Sequence, residues 1–193
     1  MNQETQTEFS VEQLEDTPKR EKKKKSSARI VRNILLSVIA VIAVIVLIAA
    51  LFMPVLQIYG NSMTPTLTEG NLVVSVKEHE FSTGDVIAFN YNNKILVKRV
   101  IAGSGELVDI SKDGTVYVNN ETIEEPYISE KALGDCDIKL PYQVPESRVF
   151  VMGDHRSVSV DSRNKSIGCV SEEQVIGKIV FRVWPLSGLG VVR

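Results

Sequence analysis

The sequence predicts a mainly β fold, in which one N-terminal transmembrane α-helix precedes a β-sheet or barrel-like domain. Three observations lead to this prediction. From Ile34 to Met53 the chain has twenty residues, all of them apolar except a single serine. Beyond Met53 it changes to short runs rich in Val, Ile, Phe and Tyr, which are typical of strands. No pattern typical of a helix of ten or more residues follows the apolar run.

The apolar run is long enough to be a membrane anchor, which we place at residues 30–53. A helix needs ~20 such residues to cross a bilayer, whereas the apolar part of the alternative, a cleaved signal peptide, has only ~7–15. Lys and Arg crowd together just before the run, in "KREKKKKSSARIVR", and are sparse just after it. This asymmetry predicts a single-pass protein of the cell membrane with its N-terminus in the cytoplasm and residues 54–193 outside the cell.

Residues 1–29 are polar, begin acidic and end basic, and show no apolar periodicity. We interpret them as a disordered cytoplasmic tail, because such a composition buries too little apolar surface to fold. No second basic patch as long as "KREKKKKSSARIVR" occurs in the chain, which argues against nucleic acid as a partner. The lipid bilayer is the partner that the anchor implies.

Turn residues divide the part beyond the anchor into six candidate strands. Gly, Asn and Asp bound these runs, and "YNNK" and "NNET" are typical of hairpin turns. Residues 120–147 hold several prolines and acidic residues and indicate a long, variable surface excursion. The six runs are "NLVVSV", "DVIAFNY", "ILVKRVIA", "TVYVNN", "RVFVMG" and "KIVFRVW".

The two cysteines, Cys136 and Cys169, both lie in the predicted outer part of the chain. An oxidising compartment permits a disulfide between them, and two unrelated free thiols are the alternative. Two cysteines are too few for a disulfide framework or a zinc site.

The usual catalytic side chains are scarce, and this narrows the chemistry. The chain has two histidines, His79 and His155, and no local pattern pairs either of them with a serine and an aspartate. No cluster has the spacing of metal ligands and no glycine-rich loop is built to hold a phosphate, so we expect neither a metal nor a cofactor. A serine with a lysine base remains, and "GNSMTPTL" and "KILVKRVIAG" contain Ser62 and Lys98.

Lys98 suits the role of a base because it lies inside an apolar run. A lysine can take a proton from a serine only when it is neutral, and burial lowers its pKa because the ammonium loses its water. A fall of the pKa from ~10.4 to ~8 costs roughly 3 kcal/mol. Strand alternation places Lys98 and Arg99 on opposite faces, so one of the two must point inward or be paired. The alternative is a lysine at a sheet edge whose amine reaches water.

Three stretches in this order, together with the anchor, resemble one family, the bacterial type I signal peptidases, which are membrane-anchored Ser-Lys proteases. "GNSMTPTL" resembles the nucleophile segment of that family. "GDVIAF" and "VKRVIAGSGE" resemble its strand pair with the base lysine, and "GDHRSVSVDSR" resembles its Gly-Asp-Asn-Arg…Ser-x-Asp-Ser-Arg box. The resemblance spans residues 57–185 and is weakest in 120–147.

The resemblance implies a role for each matching residue. Ser62 would attack the scissile carbonyl, Lys98 would be its general base, and Ser159 would orient the lysine. It also implies two pairs of charged residues that brace the site and four apolar residues that line pockets for the substrate: Asp161 with Arg163, Arg99 with Asp154, and Ile58, Met63, Leu67 and Val97.

Three features depart from the pattern of the family, and one of them is "GSGELV", which stands in place of the commoner Gly-Asp after the lysine strand. His155 replaces the usual Asn of the box and is able to add a pH-sensitive hydrogen bond. Gly60 stands where some members carry a hydroxyl residue that supplies a second oxyanion donor. The Ser62 N–H would then be one donor, and the second donor is unassigned.

The resemblance implies a membrane-bound serine endopeptidase that removes signal peptides from exported preproteins, with residues 54–193 as its extracytoplasmic peptidase domain. Shallow pockets admit small residues, which matches the A-x-A pattern before the cleavage site of a signal peptide. The alternatives are a self-cleaving Ser-Lys protease of the repressor type and a catalytically inactive membrane-anchored scaffold. The anchor argues against the first, and intact Ser62, Lys98 and Ser159 argue against the second.

Overall fold

A computed structural model describes residues 29–47, 53–78 and 80–192 of the chain. Two units make up the chain, of which Met1–Ala49 contains the helix and Ala50–Arg193 contains the described strands. The predicted tail up to residue 28 and His79 lie outside the described residues, as do residues 48–52 of the predicted anchor.

The first element is helix α1, Arg29–Leu47, which is exposed along its whole described length and apolar except at Arg29, Arg32, Asn33 and Ser37. Its 19 residues give a length of about 28 Å at ~1.5 Å per residue, close to the ~30 Å of a bilayer's hydrocarbon core. The hydroxyl of Ser37 donates to the carbonyl of Ile34 at 2.8 Å, so this polar group is satisfied within the helix. Length and composition therefore allow α1 to cross a membrane.

Eight strands form a large antiparallel sheet: β1 Val55–Gln57, β2 Leu72–Val76, β3 Val86–Tyr91, β4 Lys94–Ala102, β9 Arg148–Met152, β10 Val170–Ser171, β11 Val175–Trp184 and β12 Gly190–Val191. Their order in the sheet is β1-β2-β11-β3-β4-β9-β10, with β12 paired to β11. Strand β4 lies inside this order and carries Lys98, while β1 and β9 lead directly into the loops that carry Ser62 and Ser159.

Four further strands form a smaller antiparallel sheet: β5 Leu107–Ile110, β6 Val116–Val118, β7 Glu121–Thr122 and β8 Tyr142–Gln143. Their order in this sheet is β7-β6-β5-β8. Two short 3₁₀ helices, Glu172–Gln174 and Leu186–Gly188, lie on either side of β11. The mainly antiparallel β fold with one N-terminal apolar helix confirms the predicted fold class. Within the described residues the order of each sheet has two ends, so neither sheet closes into a barrel.

The six runs identified in the sequence all contain strands, and the two predicted hairpins connect neighbouring strands. Asn92 and Asn93 join β3 to β4 with φ of 44° and 61°, and Asn119 and Asn120 join β6 to β7 with φ of 53° and 69°. Consecutive positive φ angles match the right-handed twist of paired strands, and Asn tolerates them better than most residues. The strands that were not predicted from the sequence are mainly short ones such as β1, β7 and β12, because two or three residues are too few to show an alternating pattern.

The predicted excursion, residues 120–147, is more than a surface loop. It contributes strands β7 and β8 to the smaller sheet. Five of its side chains pack against the core cluster formed by residues such as Val108, Phe150 and Met152: Ile123, Leu133, Ile138, Leu140 and Tyr142. Its apolar residues are spread among prolines and charges, so no periodic pattern in the sequence revealed this packing.

Both cysteines are free thiols. Cys169 is buried in the core, and burial raises the pKa of its thiol to about 11. Cys136 is half-buried, and burial also raises its pKa. Of the two alternatives left open by the sequence, the structure has the pair of separate thiols.

Candidate active site

Ser62 lies on the Ser62 loop, residues 58–71, which connects β1 to β2. Two backbone hydrogen bonds of 2.9 Å close the base of this loop, one from the Ile58 N–H to the Asn71 carbonyl and one from the Gly70 N–H to the Ile58 carbonyl. Met63, the residue after the serine, is buried in the core. The loop is thus held at its base and by its apolar side chains, which leaves Ser62 half-buried at its surface.

Lys98 reaches Ser62 from β4. Its side chain is 4 % exposed, and its Nζ donates a hydrogen bond of 2.6 Å to Ser62 Oγ. Burial lowers the pKa of the Lys98 ammonium to about 8, and the nearby Asp161 carboxylate opposes part of that fall. A substantial fraction of this amine is therefore neutral at mildly alkaline pH and able to accept a proton.

Arg99, the next residue along β4, is also buried, so both of these adjacent basic residues lie inside the protein. Its Nε and Nη2 donate to the two carboxylate oxygens of Asp154 at 2.8 and 2.7 Å. The hydroxyl of Thr66 donates to the same carboxylate at 2.5 Å. Arg99 and Asp154 therefore tie strand β4 to the Ser62 loop.

Asp161 and Arg163 form a second buried pair on the polar loop, residues 153–169, which connects β9 to β10. Arg163 donates to both carboxylate oxygens of Asp161 at 2.8 Å. Asp161 also accepts the N–H of Gly153 at 3.0 Å. Both charged groups are therefore satisfied, and the fold of the loop depends on them.

Ser159 lies on the same loop and is buried. Its Oγ has no hydrogen-bond partner among the described residues, including Lys98. A Cβ placed on Gly153 would overlap Ser159 Oγ and would lie 2.5 Å from the carbonyl oxygen of Ser62. The Ser159 hydroxyl and the Ser62 backbone thus meet over Gly153, where no larger residue fits.

Two residues of the excursion also support the site, and the sequence did not mark them. The carboxylate of Glu125 forms a buried ion pair with Arg156, whose Nε donates to the Gly153 carbonyl at 3.1 Å. The guanidinium carbon of Arg99 lies 3.8 Å from the centroid of the Tyr127 ring, which is a favourable cation–π contact. Glu125 is 31 positions from its arginine partner, so no local pattern could have revealed the pairing.

An elongated cavity of about 630 Å³ runs from Ser62 and Lys98 along β1 and the first half of β4. Three of the four apolar residues expected at the substrate line it: Ile58, Met63 and Val97. Leu67 does not line this cavity, because it is completely buried in the core cluster that Ile58 and Met63 share. Gly60 also borders the cavity and has a φ of 77°, in a region that glycine adopts easily.

The described residues contain no group of three or more His, Cys, Asp or Glu side chains placed to hold a metal ion. The groups beside the cavity are a serine hydroxyl and a buried amine that contacts it. A serine paired with a base, beside a groove long enough for an extended chain, is the arrangement of a serine endopeptidase.

Comparison with known proteins agrees with this class. The profile of the family described as signal peptidase, peptidase S26, matches residues 30–184. A signal peptidase I of Bacillus licheniformis is 38 % identical over 152 residues, which are 72 % of this chain and 80 % of that protein. A signal peptidase IB of Staphylococcus aureus is 38 % identical over 150 residues, 67 % of this chain and 77 % of that protein.

Among solved structures, a signal peptidase I from Enterococcus faecalis is 30 % identical, with a TM-score of 0.42 and coverage of 51 % of this chain and 96 % of that one. The chain belongs to the signal peptidase family, peptidase S26. It is accordingly a serine endopeptidase with the function of a signal peptidase I, and its substrates are preproteins that carry signal peptides. The predicted family and enzyme class are confirmed.

Replacing Glu125 tests whether the excursion supports the site. Glu125→Ala leaves the buried Arg156 guanidinium without its carboxylate, and breaking a buried pair in this way lowers the free energy of unfolding by about 3–5 kcal/mol. Glu130→Ala removes an exposed carboxylate of the same segment that contacts Ser157, and should change that free energy by less than about 0.5 kcal/mol. Denaturant titration of the full chain in detergent measures both, and equal effects would contradict the supporting role.

Proposed function

We propose that the chain cleaves signal peptides with Ser62 as the nucleophile and Lys98 as its general base. The single observation that carries this proposal is the 2.6 Å contact between Lys98 Nζ and Ser62 Oγ. Neutral Lys98 takes the hydroxyl proton while Ser62 Oγ attacks the scissile carbonyl, and the resulting ammonium returns the proton to the leaving amine. A water molecule then hydrolyses the acyl-enzyme with the same lysine as base.

The remaining polar groups position these two residues in our proposal. The Ser62 N–H donates to the oxyanion of the tetrahedral intermediate. Ser159 orients the lysine, and its buried hydroxyl has an unused donor and acceptor with which to do so. The buried pairs of Arg99 with Asp154 and of Arg163 with Asp161 hold the Ser62 loop and the polar loop in place.

The cleavage segment of the preprotein binds in an extended form along the cavity, beside β1 or β4. Ile58, Met63 and Val97 line this cavity, and we propose that they accept small side chains on the N-terminal side of the cut. This fits the A-x-A pattern of signal peptides. Leu67 supports the wall from the core rather than contacting the substrate.

We further propose that residues 30–53 span the lipid bilayer once, with residues 1–29 in the cytoplasm and 54–193 as the extracytoplasmic peptidase domain. The exposed, apolar surface of α1 and the basic residues before it support this. Few residues separate Met53 from Ser62, and each spans at most ~3.6 Å. The nucleophile therefore works close to the outer surface, where a membrane-held preprotein presents its cleavage site. We expect no nucleic acid partner and no cofactor.

Ser62→Ala and Lys98→Ala should each lower kcat/KM for a preprotein with an Ala-x-Ala site by more than about 10⁴-fold, because each removes a reacting group. Lys112→Ala, in the exposed turn between β5 and β6, is the matched control and should keep full activity. The assay follows cleavage in detergent, with N-terminal sequencing of the product. Activity within tenfold of the unmodified chain in either site variant would overturn the assignment and favour another nucleophile.

The pH dependence of the reaction should follow Lys98. Because only the neutral amine is a base and burial lowers its pKa to about 8, kcat/KM should rise about tenfold per pH unit below that value and level off above it. Initial rates between pH 6 and pH 10 measure this profile. A rate that keeps rising towards the ~10.4 of a free lysine, or that stays flat through pH 8, would argue against a buried lysine base.

The topology can be tested with a membrane-impermeant maleimide on cells that carry single-cysteine variants in a background without Cys136 and Cys169. Lys112→Cys, in the outer domain, should be labelled in intact cells. Ser26→Cys, in the basic tail, should be labelled only after the membrane is permeabilised, because positive charge stays on the cytoplasmic side. The reverse labelling pattern would refute the proposed orientation.

A further inference from the structure

His155 joins the polar loop to the Ser62 loop at two points. Its backbone N–H donates to the carbonyl oxygen of Ser62 at 3.1 Å. Its side-chain Nδ1 lies 3.0 Å from Thr64 Oγ1. One residue therefore contacts the Ser62 loop at the serine itself and at the position two residues later.

The proton positions follow from the partners of the Thr64 hydroxyl. Thr64 Oγ1 lies 2.7 Å from the carbonyl oxygen of Asn61, which can only accept. The single hydroxyl proton of Thr64 is used in that contact. Thr64 Oγ1 is consequently the acceptor towards His155, so Nδ1 of His155 carries a hydrogen. The imidazolium form has the same Nδ1–H, so this hydrogen bond does not depend on the protonation of Nε2 and differs from the pH-sensitive hydrogen bond expected from the sequence.

The hydrogen bond between His155 and Thr64 acts on Ser62 through a rigid peptide unit. The carbonyl of Asn61 and the N–H of Ser62 belong to one planar peptide group and point in opposite directions. Thr64 holds that carbonyl twice, with its hydroxyl at 2.7 Å and its N–H at 3.1 Å. Whatever fixes Thr64 therefore also fixes the direction in which the Ser62 N–H points. The peptide group on the other side of Ser62 is held by the His155 N–H.

We propose that His155 is a positioning residue for the reaction, because its Nδ1–H holds Thr64 and thereby aims the Ser62 N–H at the oxyanion. This inference rests on the proposal that Ser62 is the nucleophile. Its effect falls on the transition state, where negative charge develops, and not on binding of the uncleaved substrate. The His155 side chain does not line the cavity beside Ser62 and acts through Thr64. The His155 backbone N–H, which holds the Ser62 carbonyl, is kept in every variant of this residue.

Three substitutions of His155 by side chains of similar length distinguish the loss of a hydrogen-bond donor from a change in side-chain shape. Asn carries an amide nitrogen on Cγ, as His carries Nδ1, so His155→Asn keeps a donor for Thr64 Oγ1. His155→Asp presents only acceptors when ionised, and His155→Leu presents no polar atom. The matched control is Ser157→Ala, which removes an exposed hydroxyl of the same loop that bonds to Glu130.

The test uses the full chain in detergent and a preprotein with alanine at the −1 and −3 positions. The loss of one hydrogen bond should make kcat about three- to tenfold lower in His155→Leu and His155→Asp, with KM within about twofold of the original value. His155→Asn should recover most of that loss, and Ser157→Ala should have the original kcat. Thr64→Val should lower kcat by a similar factor, and the Thr64→Val, His155→Leu double variant should be no worse than either single variant.

A second measurement reports the tautomer without depending on catalysis. The chain has only two histidines, so the ¹⁵N spectrum of the His155→Asn variant assigns the His155 signals by their absence. Neutral His155 should show a protonated Nδ1 and an unprotonated Nε2.

An unprotonated Nδ1, equal kcat in the Asn and Leu variants, or additive effects in the double variant would overturn the role of His155. Ser62→Ala separates this failure from that of the proposed nucleophile, since retained cleavage there would overturn the proposed function instead.

Discussion

The site depends on one buried amine that has no carboxylate partner. Four cationic side chains are buried in the described part of the chain, and three of them, Arg99, Arg156 and Arg163, are paired with carboxylates. Lys98 contacts the hydroxyl of Ser62 instead. Its burial is therefore not offset by a direct ion pair, and its pKa falls to about 8. A lysine with its own carboxylate would stay charged at that pH and could not take a proton from the serine.

The three paired arginines hold in place the backbone that surrounds this amine. Each pair fixes a backbone segment next to the site, since its donors also reach carbonyls or hydroxyls of that segment, such as Gly153 for Arg156 and Thr66 for Arg99. Buried ion pairs contribute little net stability compared with apolar packing, but breaking one is costly, so they define a geometry more than they stabilise it. Two of the partners, Glu125 and Tyr127, come from the excursion, which makes that segment part of the support of the site.

Features that depend on local pattern were predictable from the sequence. The six strand runs and the two Asn-rich hairpins were identified correctly because residue type and spacing control them over a few positions. Residue chemistry also indicated a serine with a lysine base and singled out Lys98, and the resemblance to a family supported its pairing with Ser62, 36 positions away. No pattern in the sequence indicated the Glu125–Arg156 pair, and the resemblance placed Leu67 at the substrate, although this residue is enclosed in the core. Both features depend on which distant segments fold against one another.

The amino-acid sequence alone is sufficient to predict the apolar helix, since a helix able to cross a membrane is recognised by its length and its low content of charged residues. It is also sufficient for the antiparallel β character of the rest, which follows from short alternating runs and turn residues. The pKa of Lys98, the unpartnered hydroxyl of Ser159 and the hydrogen-bond chain from His155 to Ser62 arise only when the β4 strand, the Ser62 loop and the polar loop meet. Desolvation and hydrogen-bond geometry are properties of that packed arrangement, because both depend on neighbours that are far apart in the chain.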